Sequence, residues 1–250
     1  IEIFDIVKTI ESSSVQEANG FFFLSPSAPD LRLKRQDRAI SNDKKFVIAR
    51  RAAQLISWAP FVKLVAVCNT LSFGAAEAES DIDFFIITRR GRIWLTRFLV
   101  TVILSIFNLR RHGRRVTDKI CLSFFVNEDN LNFQKIALLP DTQGNPDVYL
   151  IYWMANLIPL INRNGILEKF WQANNWAFEY LADFDFREKV KDFHEIPAGN
   201  TLETARRLLE MWLGGAAGNG LEKFLKKIQL FKILRHKQSR YFDNGTAVVV

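Results

Sequence analysis

Two aspartates stand two residues apart in the segment Ser80-Asp81-Ile82-Asp83-Phe84-Phe85-Ile86-Ile87. The apolar run reads as a β-strand, and side chains at i and i+2 of a strand point to one face. Asp81 and Asp83 therefore aim two carboxylates at one point, while Ile82 and Phe84 turn the other way into a core. Converging carboxylates at the edge of an apolar sheet suit a hard divalent cation, and Mg²⁺ takes oxygen ligands while keeping waters and substrate phosphates in its shell. A second reading of the pair is local, because aspartate at a loop-to-strand junction hydrogen-bonds nearby backbone. An EF-hand is excluded, since the residues after Asp83 are apolar and lack the required Gly and Glu spacing.

The elements that must position this pair follow from hydrophobic periodicity. Phe46, Ala49, Ala53, Leu55 and Ile56 recur at helical spacing from Lys44 to Trp58, and the helix stops before Pro60. A strand over Val62 to Val67 precedes the aspartates and one over Asp83 to Thr88 carries the second of them. Arg89-Arg90-Gly91 turns the chain into an apolar helix over Ile93 to Asn108. This run is shorter than the ~20 apolar residues of a membrane span and is interrupted by Arg97, so it reads as a buried helix against a sheet. A basic loop with Arg110, Arg111, His112, Arg114 and Arg115 leads to a third strand, Lys119 to Val126. The order helix, strand, strand, helix, strand predicts an α+β fold with a mixed sheet and packed helices, not a doubly wound parallel sheet.

Three regions are expected. Residues 1–43 read as a small N-terminal unit: a helix over Phe4 to Ser14, a strand over Gly20 to Leu24, a turn over Ser25 to Pro29 and a return strand over Leu31 to Arg35. A degenerate winged helix and a plain capping hairpin both fit this pattern. Residues 44–135 form the core around the aspartates. Residues 136–250 read as a helical C-terminal lobe, with helices over Glu203 to Leu213 and Leu221 to Leu234 joined by a flexible linker, Gly214 to Gly220. Trp153, Trp171 and Trp176 read as core rings.

The run Val65-Ala66-Val67-Cys68-Asn69-Thr70, followed by Ser80-Asp81-Ile82-Asp83, resembles the signature of the DNA polymerase β nucleotidyltransferase superfamily, over about twenty residues. The stretch from Pro60 to Phe98 is similar to uncharacterised bacterial proteins labelled nucleotidyltransferases. The resemblance implies a nucleotidyltransferase-like sheet and a two-metal Mg²⁺ site. It implies a metal-dependent transfer of a nucleoside monophosphate from an NTP, such as ATP, to a hydroxyl acceptor on a small molecule, a protein or a nucleic acid. In that family, positioning and charge stabilisation supply most of the rate. Carried over by position, Asp81 and Asp83 are the catalytic metal ligands, and Thr70 stands where a serine binds a phosphate oxygen. Asn69 stands at the family's glycine, and Ser80, Arg89 and Arg90 complete the phosphate-binding set.

Two departures favour a second reading, a catalytically degenerate module that binds nucleotide or nucleic acid. Asn69 brings a side chain to a position where glycine lets backbone approach phosphate. A third carboxylate is also missing from the strand Lys119 to Val126, whose faces alternate as Ile120, Leu122, Phe124 and Cys121, Ser123, Phe125. A replacement acid would have to come from Asp118, Glu128 or Asp129.

The remaining features are less selective. The formal charge of +7, from 34 Lys and Arg against 27 Asp and Glu, suits a polyanionic partner as well as it suits solubility. Arg89, Arg90, Arg92 and Arg97 with the 110–115 loop form either a phosphate-facing rim or a solvated turn; helical spacing separates Arg92 from Arg97 and favours Arg89 and Arg90. The lysines of the last helix either contact nucleic acid or form a solvated face. Cys68 and Cys121, both in apolar runs, read as free thiols of a cytoplasmic protein. His112, His194 and His236 have no metal-ligand spacing. Oligomeric state is not encoded in any of these patterns.

Overall fold

The computed structural model describes residues 16–18, 21–23, 28–140, 142, 144–181, 184, 200–235, 242–243 and 247–249. The short strands β1 (Gln16–Ala18) and β2 (Phe21–Phe23) pair as an antiparallel hairpin. The expected helix over Phe4 to Ser14 lies outside the described residues.

A 29-residue helix, α1 (Ala28–Ile56), follows. It absorbs the return strand expected over Leu31 to Arg35 and runs without a break through residue 43. Pro29 sits in its first turn, where a missing N–H costs nothing. The alternation of Leu31 and Leu33 misleads because it does not report burial: Leu33 is exposed.

The main sheet has six strands in the order β6 (Ile158–Asn162), β3 (Val62–Val67), β4 (Ile82–Thr88), β5 (Ile120–Asn127), β8 (Ala247–Val249) and β7 (Phe242–Asp243). Its centre is β3 (Val62–Val67), β4 (Ile82–Thr88) and β5 (Ile120–Asn127), close to the bounds that the apolar runs predict. The β3 and β4 strands pair antiparallel, with Val67 opposite Phe84, while β4 and β5 pair parallel, with Asp83 opposite Cys121. Between β3 and β4 lies the one-turn helix α2 (Asn69–Ser72). Between β4 and β5 lies α3 (Ile93–Ile106), which buries Ile93, Trp94, Leu95, Val100 and Leu104. No helix among the described residues is long and apolar enough to cross a membrane.

The C-terminal region is not all helical. Helix α4 (Val148–Ala155) is followed by β6 (Ile158–Asn162), which pairs antiparallel with β3. Pro159 lies inside this edge strand, the sheet position that tolerates a missing donor. Helices α5 (Ile166–Ala173) and α6 (Asn175–Phe178) come next, then α7 (Asn200–Leu213) and α8 (Ala216–Arg235). Because α8 begins at Ala216, only Gly214 and Gly215 separate the two helices, and the rest of the glycine-rich run is helical. The strands β7 (Phe242–Asp243) and β8 (Ala247–Val249) close the order, with β8 pairing antiparallel to β5.

The sheet separates two cores. One face carries Val65, Val67, Ile82, Phe84, Ile86 and Phe125 against α1, α3 and α8. The other carries Leu64, Ala66, Phe85 and Ile87 against Trp153, Met154, Phe170 and Trp171 of α4 and α5. Phe85 stands at the centre of the second core, 5.2 Å from the Trp153 ring centroid and 5.5 Å from that of Phe170. At ~25 cal/mol per Å² of apolar area removed from water, aromatic clusters of this kind dominate the stabilisation of such a layer.

A candidate metal centre at the entry to β4

Asp83 is the second residue of β4 and Asp81 immediately precedes the strand. Their placement follows from the core. Ile82 and Phe84 are fully buried, which obliges the odd-numbered neighbours to face the opposite side. The same reasoning on the parallel neighbour brings in Cys121, which lies beside Asp83 in register. One ligand atom from each of Asp81, Asp83 and Cys121 falls within 4.8 Å of the others, and each residue is partly buried. These three form a group that could hold a metal ion.

Cys121 reaches this position through a bulge. Two residues advance on β4, from Asp83 to Phe85, while three advance on β5, from Cys121 to Phe124. The extra residue breaks the strict alternation expected for this strand. Ile120, Leu122 and Phe125 therefore share one core, while Phe124 and Val126 belong to the other.

The loop that delivers Asp81 is anchored from α1. Lys45, 1% exposed, donates from Nζ to the carbonyls of Ala78 (3.1 Å) and Ser80 (2.8 Å) and to Oδ1 of Asp118 (2.7 Å). All three ammonium protons thus have acceptors. Asn42 accepts from the amide of Ala76 at 3.1 Å. The Ser80 hydroxyl is used within the turn, accepting from the amide of Glu77 at 3.0 Å. Neither Lys45 nor Asn42 is conspicuous in the sequence as a partner of a loop more than thirty residues away.

Asn69 adopts the left-handed conformation, with φ of 57°. Glycine is the usual residue there and asparagine the best tolerated substitute. Its side-chain Oδ1 accepts from Nε1 of Trp153 at 2.9 Å, and its side chain favours the ionised form of Asp83. Thr70 follows on the exposed first turn of α2.

The electrostatics separate the two carboxylates. Burial pushes the Asp83 carboxyl above its ordinary value, and the nearby charge of Asp81 adds to this, against hydrogen bonds from Asn69 and Cys121. Asp81 is ion-paired to Arg111, whose Nη1 lies 2.6 Å from Oδ2 and 3.9 Å from Cys121 Sγ. Cys68, at the end of β3, has its thiol pushed well up by burial and then by the charge of Asp83.

Other expected participants lie elsewhere. Arg89 and Arg90 follow the far end of β4, six residues beyond Asp83 and thus ~20 Å along the strand; Arg90 pairs with Asp129 there. Arg92 is buried and donates to the carbonyls of Leu213 and Gly214. Asp118 is held by Lys44 and Lys45, and Glu128 lies near Lys63. Among the described residues, no third carboxylate joins Asp81 and Asp83, and the third position is a thiol. The donor set fits one divalent ion on the carboxylate pair but not the two-Mg²⁺ arrangement, because Mg²⁺ discriminates against sulfur. Arg111 is the participant that sequence reading does not single out from its basic loop; its amide donates to the carbonyl of Ile120 in β5, which sets it beside Cys121 and Asp81.

No protein-family model matches this chain, and no curated protein matches it in sequence.

Proposed function

We propose that the chain is a metal-dependent nucleotidyltransferase, in which Asp81 and Asp83 hold a divalent cation and, through it, the polyphosphate of an NTP. The observation that carries this reading is the convergence of the two carboxylates with Cys121 within 4.8 Å, at the mouth of a sheet and beside the left-handed turn at Asn69. A divalent ion bound there would neutralise phosphate charge and lower the pKa of an attacking hydroxyl. The chain's own contribution is positional. Lys45 fixes the loop, Asn69 and Trp153 orient Asp83, and the exposed Thr70 hydroxyl is a donor for a phosphate oxygen. Arg111 would exchange its contact with Asp81 for one with phosphate, the bidentate geometry to which guanidinium is suited.

A second reading has its own support. The thiol of Cys121 in place of an acid, with the Asn69 side chain engaged by Trp153, favours a module that binds nucleotide without turning it over. One experiment separates the two. Calorimetric titration with ATP in Mg²⁺ or Mn²⁺ should show cation-dependent binding that is lost in Asp81→Ala and Asp83→Ala. Pyrophosphate release that depends on Asp83 selects the transferase, and binding without release selects the module. Equal affinity in both variants and the parent would overturn the common basis of the two.

A further inference from the structure

The loop that leaves α3 and enters β5 borders an open surface hollow of about 620 Å³, lined by Ser105, Asn108, Arg110, His112, Arg114 and Arg115. Its walls are set by backbone geometry. Asn108 and Gly113 both take positive φ, 54° in each case. His112 and Arg115 exchange backbone hydrogen bonds, the amide of Arg115 donating at 3.0 Å, so that Gly113 and Arg114 form the tip of a tight hairpin. Arg110 is bridged to Ile120 of β5, which ties this hairpin to the sheet instead of leaving it free in solvent.

Among the described residues, no carboxylate compensates the charge of this hollow. No carboxylate is among its lining residues. Asp118, which follows the loop, is already committed to Lys44 and Lys45, and Asp81 to Arg111. Among the described residues, Arg110, Arg114 and Arg115 form no ion pair, and Arg110 is partly buried. A guanidinium withdrawn from water without a counter-charge is costly, and three around one concavity create a focused positive potential. Arg114 and Arg115 are exposed and Arg110 is partly buried, so the three line the hollow at different depths.

We infer that this hollow is a binding site for a compact oligophosphate anion, held by Arg110, Arg114 and Arg115 without a metal ion. The volume is that of a small-molecule pocket. Arginine forks match phosphate oxygens bidentately, and the lining lacks the aromatic platforms on which the bases of a single strand stack. The site is distinct from the carboxylate pair, and Arg111, which points to Asp81, is not part of it.

The test is calorimetric titration of the full chain with sodium tripolyphosphate at low ionic strength in the presence of EDTA, conditions under which a cation-dependent nucleotide site is silent. Saturable one-to-one binding is expected. The double variant Arg114→Gln/Arg115→Gln, on an exposed hairpin tip, should weaken it by about tenfold or more. The double variant Lys227→Gln/Lys232→Gln, which removes the same charge from the exposed side of α8, should leave it unchanged. Absence of binding would overturn the inference, as would an equal loss in the two double variants, which would reduce the effect to net charge. Tighter binding of a short oligouridylate than of tripolyphosphate would overturn the assignment to a compact ligand.

Discussion

The indole N–H of Trp153 donates a 2.9 Å hydrogen bond to Oδ1 of Asn69, joining the aromatic core of one layer to the turn beside the candidate metal centre. The Asn69 side chain also favours the ionised form of Asp83, so one side chain interacts with both a buried ring and a carboxylate. Asn69→Gly should suit the positive φ but leave the Trp153 N–H without an acceptor, and the two effects oppose each other. A net loss of about 1 kcal/mol is expected, together with weaker metal-dependent nucleotide binding as Asp83 loses a group that favours its charged form. Thermal unfolding and calorimetry on the same variant check both halves.

The raised pKa of Asp83 makes a signed statement about pH. Its native value lies above the unfolded value of 3.8, so its contribution to stability is full below 3.8 and is lost as pH rises through the native value. Asp83→Asn should therefore melt higher than the parent at pH 7, with the gap closing toward pH 4. At this chain length each kcal/mol moves Tm by roughly 2–4 °C. A lower melting temperature for the variant at neutral pH would contradict the sign.

On the proposed reading, Cys121 would set the metal preference of the candidate site. Cys121→Asp should raise affinity for Mg²⁺ by about tenfold and lower that for Cd²⁺, since it exchanges a soft ligand for a hard one. Competitive calorimetry with the two ions measures the switch directly. Unchanged affinity for both ions would mean that the thiol does not reach the bound cation.

Lys45 is buried, with its charge balanced by Asp118 at 2.7 Å and two carbonyls. Lys45→Met should cost about 3–5 kcal/mol, the usual consequence of removing one member of a buried ion pair. It should also weaken metal binding, because the loop to Asp81 loses its anchor. Chemical denaturation gives the first quantity and metal titration at low temperature the second.

Glu222 of α8 accepts from the amides of Trp94 (2.9 Å) and Leu95 (2.8 Å). These are orphan donors in the first turn of α3, whose own N-cap, Arg92, makes no side-chain cap bond. A carboxylate from a distant helix thus performs the capping. Glu222→Ala should cost about 1–2 kcal/mol and loosen α8, which hydrogen exchange at Trp94 and Leu95 would register.

Strands β3, β4 and β5 and helix α3 were legible in the sequence because long apolar runs bounded by Pro60, Gly91 and a basic loop leave few alternatives. The carboxylate pair was legible for the same reason: period-two alternation assigns Asp81 and Asp83 to one face once Ile82 and Phe84 are buried. Strand β6 was not, because Ile158 to Asn162 is short, contains a proline and follows an aromatic helix, so that only its pairing with β3 identifies it. In α1, the period-two run at its start was misleading because Leu33 is exposed and the helix is fixed by contacts further along. The pairing of Asp81 with Arg111, and the service of Lys45 to the Ala78–Ser80 loop, depend on tertiary register, which local periodicity does not encode.

The extra residue in β5 has a bearing on how this strand tolerates changes in length. On one side of it Cys121 joins Asp81 and Asp83, and on the other Phe124 and Val126 fill the aromatic layer, both in their proper orientation only because the ladder skips a step between them. Excising Ser123 would yield an unbroken ladder with every remaining side chain still on its present side. Losing a residue outside the Cys121–Phe124 bulge would instead turn the side chains beyond the loss to the wrong face.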